Sequence, residues 1–172
     1  MQINFPNIET QHLALLHSWL MQPHVAYWWP EPNNFDEFYA KWLERISTGM
    51  SAYNTPWFGH IIKIYTIPIG YIHHYRIKKN RYAEYPSLPP YTLGIDFFIG
   101  EPSHIGKKLS TLILHTYIKN IVKKQNSLTN TLIIDPAITN TRAIHVYTKA
   151  GFKTLGTYTL SQNIVLLMYT HI

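Results

Sequence analysis

Apolar residues recur at helical spacing in four stretches of the chain and at strand spacing in six. Residues 9–21 carry Leu13, Leu16 and Leu20 three to four apart, the mark of one buried helix face. After Pro23 the cluster Tyr27-Trp28-Trp29-Pro30 breaks that period and reads as a loop. Asn34 offers an N-cap to a second helix, in which Phe35, Phe38, Trp42 and Ile46 repeat. Residues 49–56 read as loop, and 57–65 and 69–77 as a strand pair around Thr66-Ile67-Pro68. The polar, aromatic stretch 78–92, with Pro86, Pro89 and Pro90, reads as a long functional loop before a strand over 93–99. A third helix fits 105–124, on Leu109, Ile113, Tyr117 and Ile121. A short β-branched strand follows at 131–134, then a helix opened by Asn140 and two strands at 154–160 and 164–170 joined by Ser161-Gln162-Asn163. No repeat or domain boundary interrupts this order, so residues 1–172 are expected to form a single domain. The order ααββ-loop-βαβαββ fits an α/β sandwich around a mixed sheet.

Composition narrows the class. With 46% hydrophobic and 14% charged residues, the 172-residue chain has enough apolar surface for a sizeable core. No apolar run is long enough for a transmembrane helix. The start, Met1-Gln2-Ile3-Asn4-Phe5-Pro6, lacks the basic-then-apolar layout of a signal peptide, and the expected location is cytoplasmic. Without cysteine, the chain has no disulfide, thiolate nucleophile or cysteine metal site. The net charge of +6 suggests an anionic ligand. The basic groups sit apart, at Arg76 to Arg81, at Lys107-Lys108, and at Lys119, Lys123 and Lys124, outside any nucleic-acid fold motif. Ten histidines invite a metal site. However, His12 and His17 are poorly spaced for ligation on a helix, and the adjacent His73 and His74 point to opposite faces of a strand, so no metal is expected.

The segment from Asp135 to Phe152 is the most informative for chemistry. It reads as a strand end, a loop, a helix capped by Asn140 and a stop at Gly151, where glycine tolerates positive φ. Ala143, Ile144, Tyr147 and Ala150 share one helical face, so the Tyr147 phenol is held at a fixed height. Such a phenol is either core, with a partner for its hydroxyl, or a proton donor presented to a cleft. Asp96 is the other notable residue. An aspartate inside an otherwise apolar strand is poor β material, which argues for a role beyond folding.

The run Asp-Pro-x-x-x-Asn-x-Arg-Ala-Ile-x-x-Tyr-x-Lys-x-Gly-Phe, from Asp135 to Phe152, resembles the C-terminal signature of the GNAT superfamily of acetyl-CoA-dependent N-acetyltransferases. Within it the run looks most like the aminoglycoside 6′-N-acetyltransferases. Gly94-Ile95-Asp96-Phe97-Phe98-Ile99-Gly100-Glu101-Pro102, followed by Ile105-Gly106-Lys107-Lys108-Leu109, agrees with this, as do the weaker blocks His24 to Trp29 and Pro68-Ile69-Gly70-Tyr71. The resemblance implies a mixed, mostly antiparallel sheet of six to seven strands flanked by about four helices.

It also implies the site. Acetyl-CoA would be the coenzyme, with Ile105, Gly106, Lys107, Lys108, Leu109, Ser110 and Thr111 cradling its pyrophosphate where Gly106 opens the third helix. The family pattern has Arg or Gln, two residues, Gly, one residue, then Gly or Ala; Ile105, Lys108 and Ser110 stand at those three places, a departure that bears on coenzyme affinity. Phe97, Phe98 and Ile99 would pair with the pantetheine arm and aim a backbone N–H at the developing oxyanion, and Asn140 would contact the same arm. Asp96 would be base and amine anchor, Asp135 a second carboxylate for a cationic substrate, and Tyr147 the acid that protonates the leaving thiolate. Trp28, Trp29 and Glu84, with Glu31, Asp36 and Glu37, are candidates for the acceptor pocket. The expected reaction is direct attack of a primary amine, the 6′-amine of an aminoglycoside, on acetyl-CoA in a ternary complex. The alternatives are another acceptor (a siderophore hydroxylysine precursor, a polyamine or a protein N-terminus) and a non-catalytic coenzyme A-binding module. Nucleic acid and membrane are not expected partners, and monomer or homodimer is left open.

Overall fold

The computed structural model describes residues 1–52, 54–77, 88–160 and 163–172. Its seven strands form one mostly antiparallel sheet in the order β1-β2-β3-β4-β5-β7-β6. The strands are β1 (Ile3–Asn4), β2 (Trp57–Ile64), β3 (Ile67–Arg76), β4 (Leu93–Ile99), β5 (Thr131–Ile134), β6 (Lys153–Leu160) and β7 (Asn163–His171). The helices are α1 (Leu13–Leu20), α2 (Pro23–Ala26), α3 (Phe35–Thr48), α4 (Ser110–Tyr117), α5 (Lys123–Gln125) and α6 (Thr141–Lys149). The chain divides into two compact units, Met1–His73 with Asp96–Lys107, and His74–Ile95 with Lys108–Ile172.

In the first unit, α1 buries Leu13, Leu16 and Leu20, as the helical spacing predicts, and α3 buries Phe38 and Trp42. Each such side chain contributes about 1.5–3 kcal/mol through burial. Asn34 caps α3, its side chain accepting the Glu37 N–H at 3.1 Å, and Gly49 ends the helix at φ 63°. Two elements went unread in the sequence. β1 is a two-residue strand, too short for any period, and it pairs antiparallel with β2 through Ile3–Ile64 and Asn4–Lys63. α2 is a single turn that begins on Pro23, whose fixed φ suits a first helical position.

In the second unit, all four residues of β5 are buried. β5 runs parallel to β4 through Leu93–Leu132 and Gly94–Ile133 and antiparallel to β7. The expected helix over 105–124 is corrected here. α4 starts only at Ser110, because Gly106 (φ 77°) and Lys108 (φ 57°) hold left-handed backbones that no α-helix contains. Further along, Ile118–Val122 forms a π-helical turn. The stripe buried by Leu114 continues on Ile118 and Val122 and leaves Ile121 half-buried, although the sequence period places Ile121 on it.

Candidate active site

Alternation along two strands of the first unit assembles a polar centre inside an aromatic cluster. Residues i and i+2 of a strand share a face, so Tyr71 and His73 of β3 project together, as do Asp96 and Phe98 of β4. His73 Nε2 lies 3.3 Å from Asp96 Oδ2; the imidazole side chain is 8% exposed and the carboxylate 32%. Trp29, from the loop after α2, meets His73 at 5.7 Å, Phe98 at 5.1 Å and Tyr71 at 6.1 Å between ring centroids. Tyr71 lies 5.5 Å from His73 and 5.8 Å from Phe98, and Trp57 of β2 lies 6.0 Å from His73. His60 of β2 is buried, and desolvation, with the neighbouring His73 adding to it, pulls its pKa down to about 4. It is therefore neutral at pH 7.

Two glycines and a histidine hold this end of β4. A Cβ on Gly70 would come within 2.3 Å of the Phe98 carbonyl oxygen, and one on Gly100 within 2.2 Å of the Trp19 ring. Only glycine fits either position without a shift of its neighbours. His24 Nε2–H donates to the Ile99 carbonyl at 3.1 Å, and the N–H groups of Gly100 and Glu101 both reach Ile69 O.

The structure sorts the residues expected from the sequence. Asp96, Trp29 and Phe98 come together, and the Phe98 ring stands in the aromatic cluster beside Asp96. Trp28 is exposed and packs edge-on against Tyr27. Glu31 is taken up by Lys41 at 2.7 Å. Asp36 and Glu37 are exposed in the first turn of α3, where their charge favours the helix dipole. Glu84 lies outside the described residues. In the sequence His73 is weighed only as a metal ligand, Tyr71 enters only as part of the block Pro68-Ile69-Gly70-Tyr71, and His60 and Trp57 carry no site role. The period-two pairing of Tyr71 with His73 was a usable signal, but the register that sets His73 against Asp96 was not readable. Among the described residues no group of three or more His, Asp or Glu side chains is arranged to hold a metal.

The other expected residues belong to the loop before α4 and to the second unit. Ile105 is half-buried, and Gly106, Lys107 and Lys108 are exposed; Leu109 is the N-cap residue of α4, and Ser110 and Thr111 form its first turn. Lys108 stands where the family pattern has glycine, and it adopts the left-handed backbone that glycine would supply. A non-glycine residue holds that backbone at a cost of about 1–2 kcal/mol. A tight, exposed, basic turn leading into a helix N-terminus fits a pyrophosphate-bearing group.

Asp135 is half-buried directly after β5. The backbone that follows it is fastened to β7 by Leu166 N–H to Pro136 O at 2.9 Å and Ile138 N–H to Ile164 O at 2.9 Å. Asn140 caps α6 by accepting the Ala143 N–H at 3.1 Å. Tyr147 is 8% exposed, with its ring 6.2 Å from Phe152, and Gly151 follows the helix at φ 91°.

The neighbouring His74 meets a different set of residues. Asn126 Nδ2 donates to His74 Nε2 at 3.1 Å, which leaves the ring hydrogen on Nδ1, 2.8 Å from Tyr117 Oη. Burial pushes the Tyr117 phenol well above its ordinary pKa, so it stays neutral.

The chain is similar to known proteins in sequence and in fold. Residues 9–160 match the family described as Acetyltransferase (GNAT) domain. The chain is 28% identical over 155 residues to the aminoglycoside N(6′)-acetyltransferase type 1 of Klebsiella pneumoniae, covering 87% of this chain and 74% of that protein. In fold it is similar to aminoglycoside acetyltransferase AAC(6′)-Ib solved in complex with coenzyme A, with TM-score 0.84 and 24% identity over 99% of this chain and 95% of that one. The aminoglycoside N(6′)-acetyltransferase of Legionella pneumophila matches with TM-score 0.73 and 26% identity, over 99% and 94% of the two chains.

Proposed function

The chain belongs to the GNAT family of acetyltransferases and is an acetyl-CoA-dependent enzyme; we propose that its acceptor is a primary amine, the 6′-amine of an aminoglycoside, attacked directly in a ternary complex. The observation that carries this reading is Asp96. It is a partly exposed carboxylate, backed by a buried imidazole that packs against the Trp29 ring, which in turn meets Phe98. A cationic amine is attracted to such a carboxylate, and ring faces beside it add cation–π attraction. The 28% identity to an aminoglycoside N(6′)-acetyltransferase supports the choice of acceptor.

An amine of lysine-like basicity is almost wholly protonated at pH 7, and freeing its lone pair costs about 4.6 kcal/mol. Asp96 binds the ammonium and takes up its proton. The coenzyme supplies the acetyl group as an activated thioester. Residues 105–111 hold its pyrophosphate, with Lys107 and Lys108 contributing charge. Backbone groups of Phe97, Phe98 and Ile99, with Asn140, orient its arm. Asp135 is a second anchor for a cationic acceptor, and Tyr147 Oη releases the proton that the departing sulfur requires. Because Lys41 neutralises Glu31, a second reading keeps the reaction and replaces the acceptor with an amine of fewer positive charges.

The test is acetyl-CoA-dependent thiol release across aminoglycosides, polyamines and hydroxylysine. Release with kanamycin-like compounds, and none with analogues that carry a hydroxyl in place of the 6′-amine, is the expected result. Silence across the panel with acetyl-CoA still bound in calorimetry would move the acceptor elsewhere. Silence without acetyl-CoA binding would favour a decayed coenzyme loop at Lys108 and Ser110.

A further inference from the structure

The geometry points to His73 as a positioning residue: its Nε2–H, 3.3 Å from Asp96 Oδ2, fixes the rotamer of the carboxylate and so the direction in which its other oxygen faces the acceptor. The inference rests on the amine-acetylating reading given above. An ionised carboxylate only accepts, so the ring nitrogen opposite it carries the hydrogen. The ring itself is held by Trp29, Trp57 and Tyr71, which come from a loop and two strands. Asp96 is the more exposed of the two, at 32% against 8%, and its buried partner restrains it from behind. The exposures also fix the order. The imidazole lies behind and the carboxylate in front, so His73 acts through Asp96 and does not touch the acceptor. His60, the other imidazole beside His73, is neutral at pH 7 and does not compete for the carboxylate's charge.

The test compares His73→Leu, His73→Gln, Asp96→Asn and the double variant Asp96→Asn/His73→Leu by steady-state kinetics, acetyl-CoA calorimetry and thermal melting. His73→Leu is expected to lower kcat/KM for the amine on the order of 10²-fold, the scale of a misplaced reacting group, with acetyl-CoA affinity unchanged. His73→Gln retains an amide N–H for the carboxylate and should recover most of that loss. The double variant should be no slower than Asp96→Asn, because the restraint has nothing left to act on. Equal losses in both His73 variants, or additive losses in the double variant, would assign His73 to packing and overturn the inference. If the wild-type chain acetylates none of the amines offered, the functional reading fails by itself and ¹⁵N NMR of His73 still decides. The expected spectrum places the hydrogen on Nε2 in the wild type and loses that preference in Asp96→Asn. An unchanged spectrum would sink the inference.

Discussion

Asp96 takes its setting from residues scattered along the chain: His73 and Tyr71 on β3, Trp57 and His60 on β2, and Trp29 in the loop after α2. Tyr147 is carried on a helix whose ends are set locally, opened by the Asn140 side chain and followed by Gly151 at positive φ. The first arrangement depends on strand register and packing, so one altered side chain disturbs several contacts. The second obeys local capping rules, and substitution at either end should shift stability by a small, separable amount. The carboxylate is set by residues from other elements, whereas the ends of the helix that carries the phenol are set within a few residues of it.

The sharpest way to break this contrast is Asp96→Asn, expected to reduce kcat about 10²–10⁴-fold, the usual contribution of a positioned acid or base. A variant with wild-type kcat would remove Asp96 from the chemistry. Next is acid stability. His60 has a folded pKa of about 4 against an ordinary 6.5, so between those values the unfolded chain binds the proton that the folded chain refuses. Stability is therefore full above pH 6.5 and falls as the pH drops towards 4, by on the order of 3 kcal/mol. Urea unfolding across that window should show the slope, and His60→Gln should flatten it. An unflattened slope would place the acid sensitivity outside the aromatic cluster.

Effects around α6 are smaller. Tyr147→Phe should cut turnover about 10²-fold, the lower end for a proton donor, while acetyl-CoA binding measured by calorimetry stays the same. Unchanged turnover would make the phenol a core residue. Asn140→Ala should cost about 1 kcal/mol in urea unfolding, the usual loss for an N-cap. Weaker acetyl-CoA binding should accompany that loss, as a contact to the coenzyme arm requires; unchanged affinity would leave Asn140 as a cap alone. The smallest expected effect is at Lys108, where Lys108→Gly should gain up to about 1 kcal/mol by removing a side chain from a left-handed backbone. Lys108→Ala should gain nothing.

The same contrast explains what could be read from the sequence. The caps Asn34 and Asn140, the stop at Gly151 and the buried leucines of α1 follow from rules that act over a few residues, and the structure places them as those rules require. Strand β4 was legible for the same reason. The pairing of His73 with Asp96 was not, because it depends on which residues of β3 and β4 stand side by side, and composition does not encode that. The start of α4 was misplaced for a different reason. The apolar period continues back through Leu109 and Ile105, and only the dihedrals of Gly106 and Lys108 show that the backbone turns left-handed there. Lys108 departs from the glycine pattern by residue type, but it holds the left-handed backbone that glycine favours.

The adjacent imidazoles on β3 give that strand a property neither has alone. His73 meets Asp96, and His74 meets Tyr117 and Asn126. Sliding the strand by one residue exchanges the faces on which all its side chains stand. Each histidine would then forfeit its partner at once, leaving two buried rings with mismatched surroundings. The pair works as a key cut on both edges: β3 fits its place in only one alignment, and an insertion or deletion of a single residue upstream in the strand would fail on both sides together.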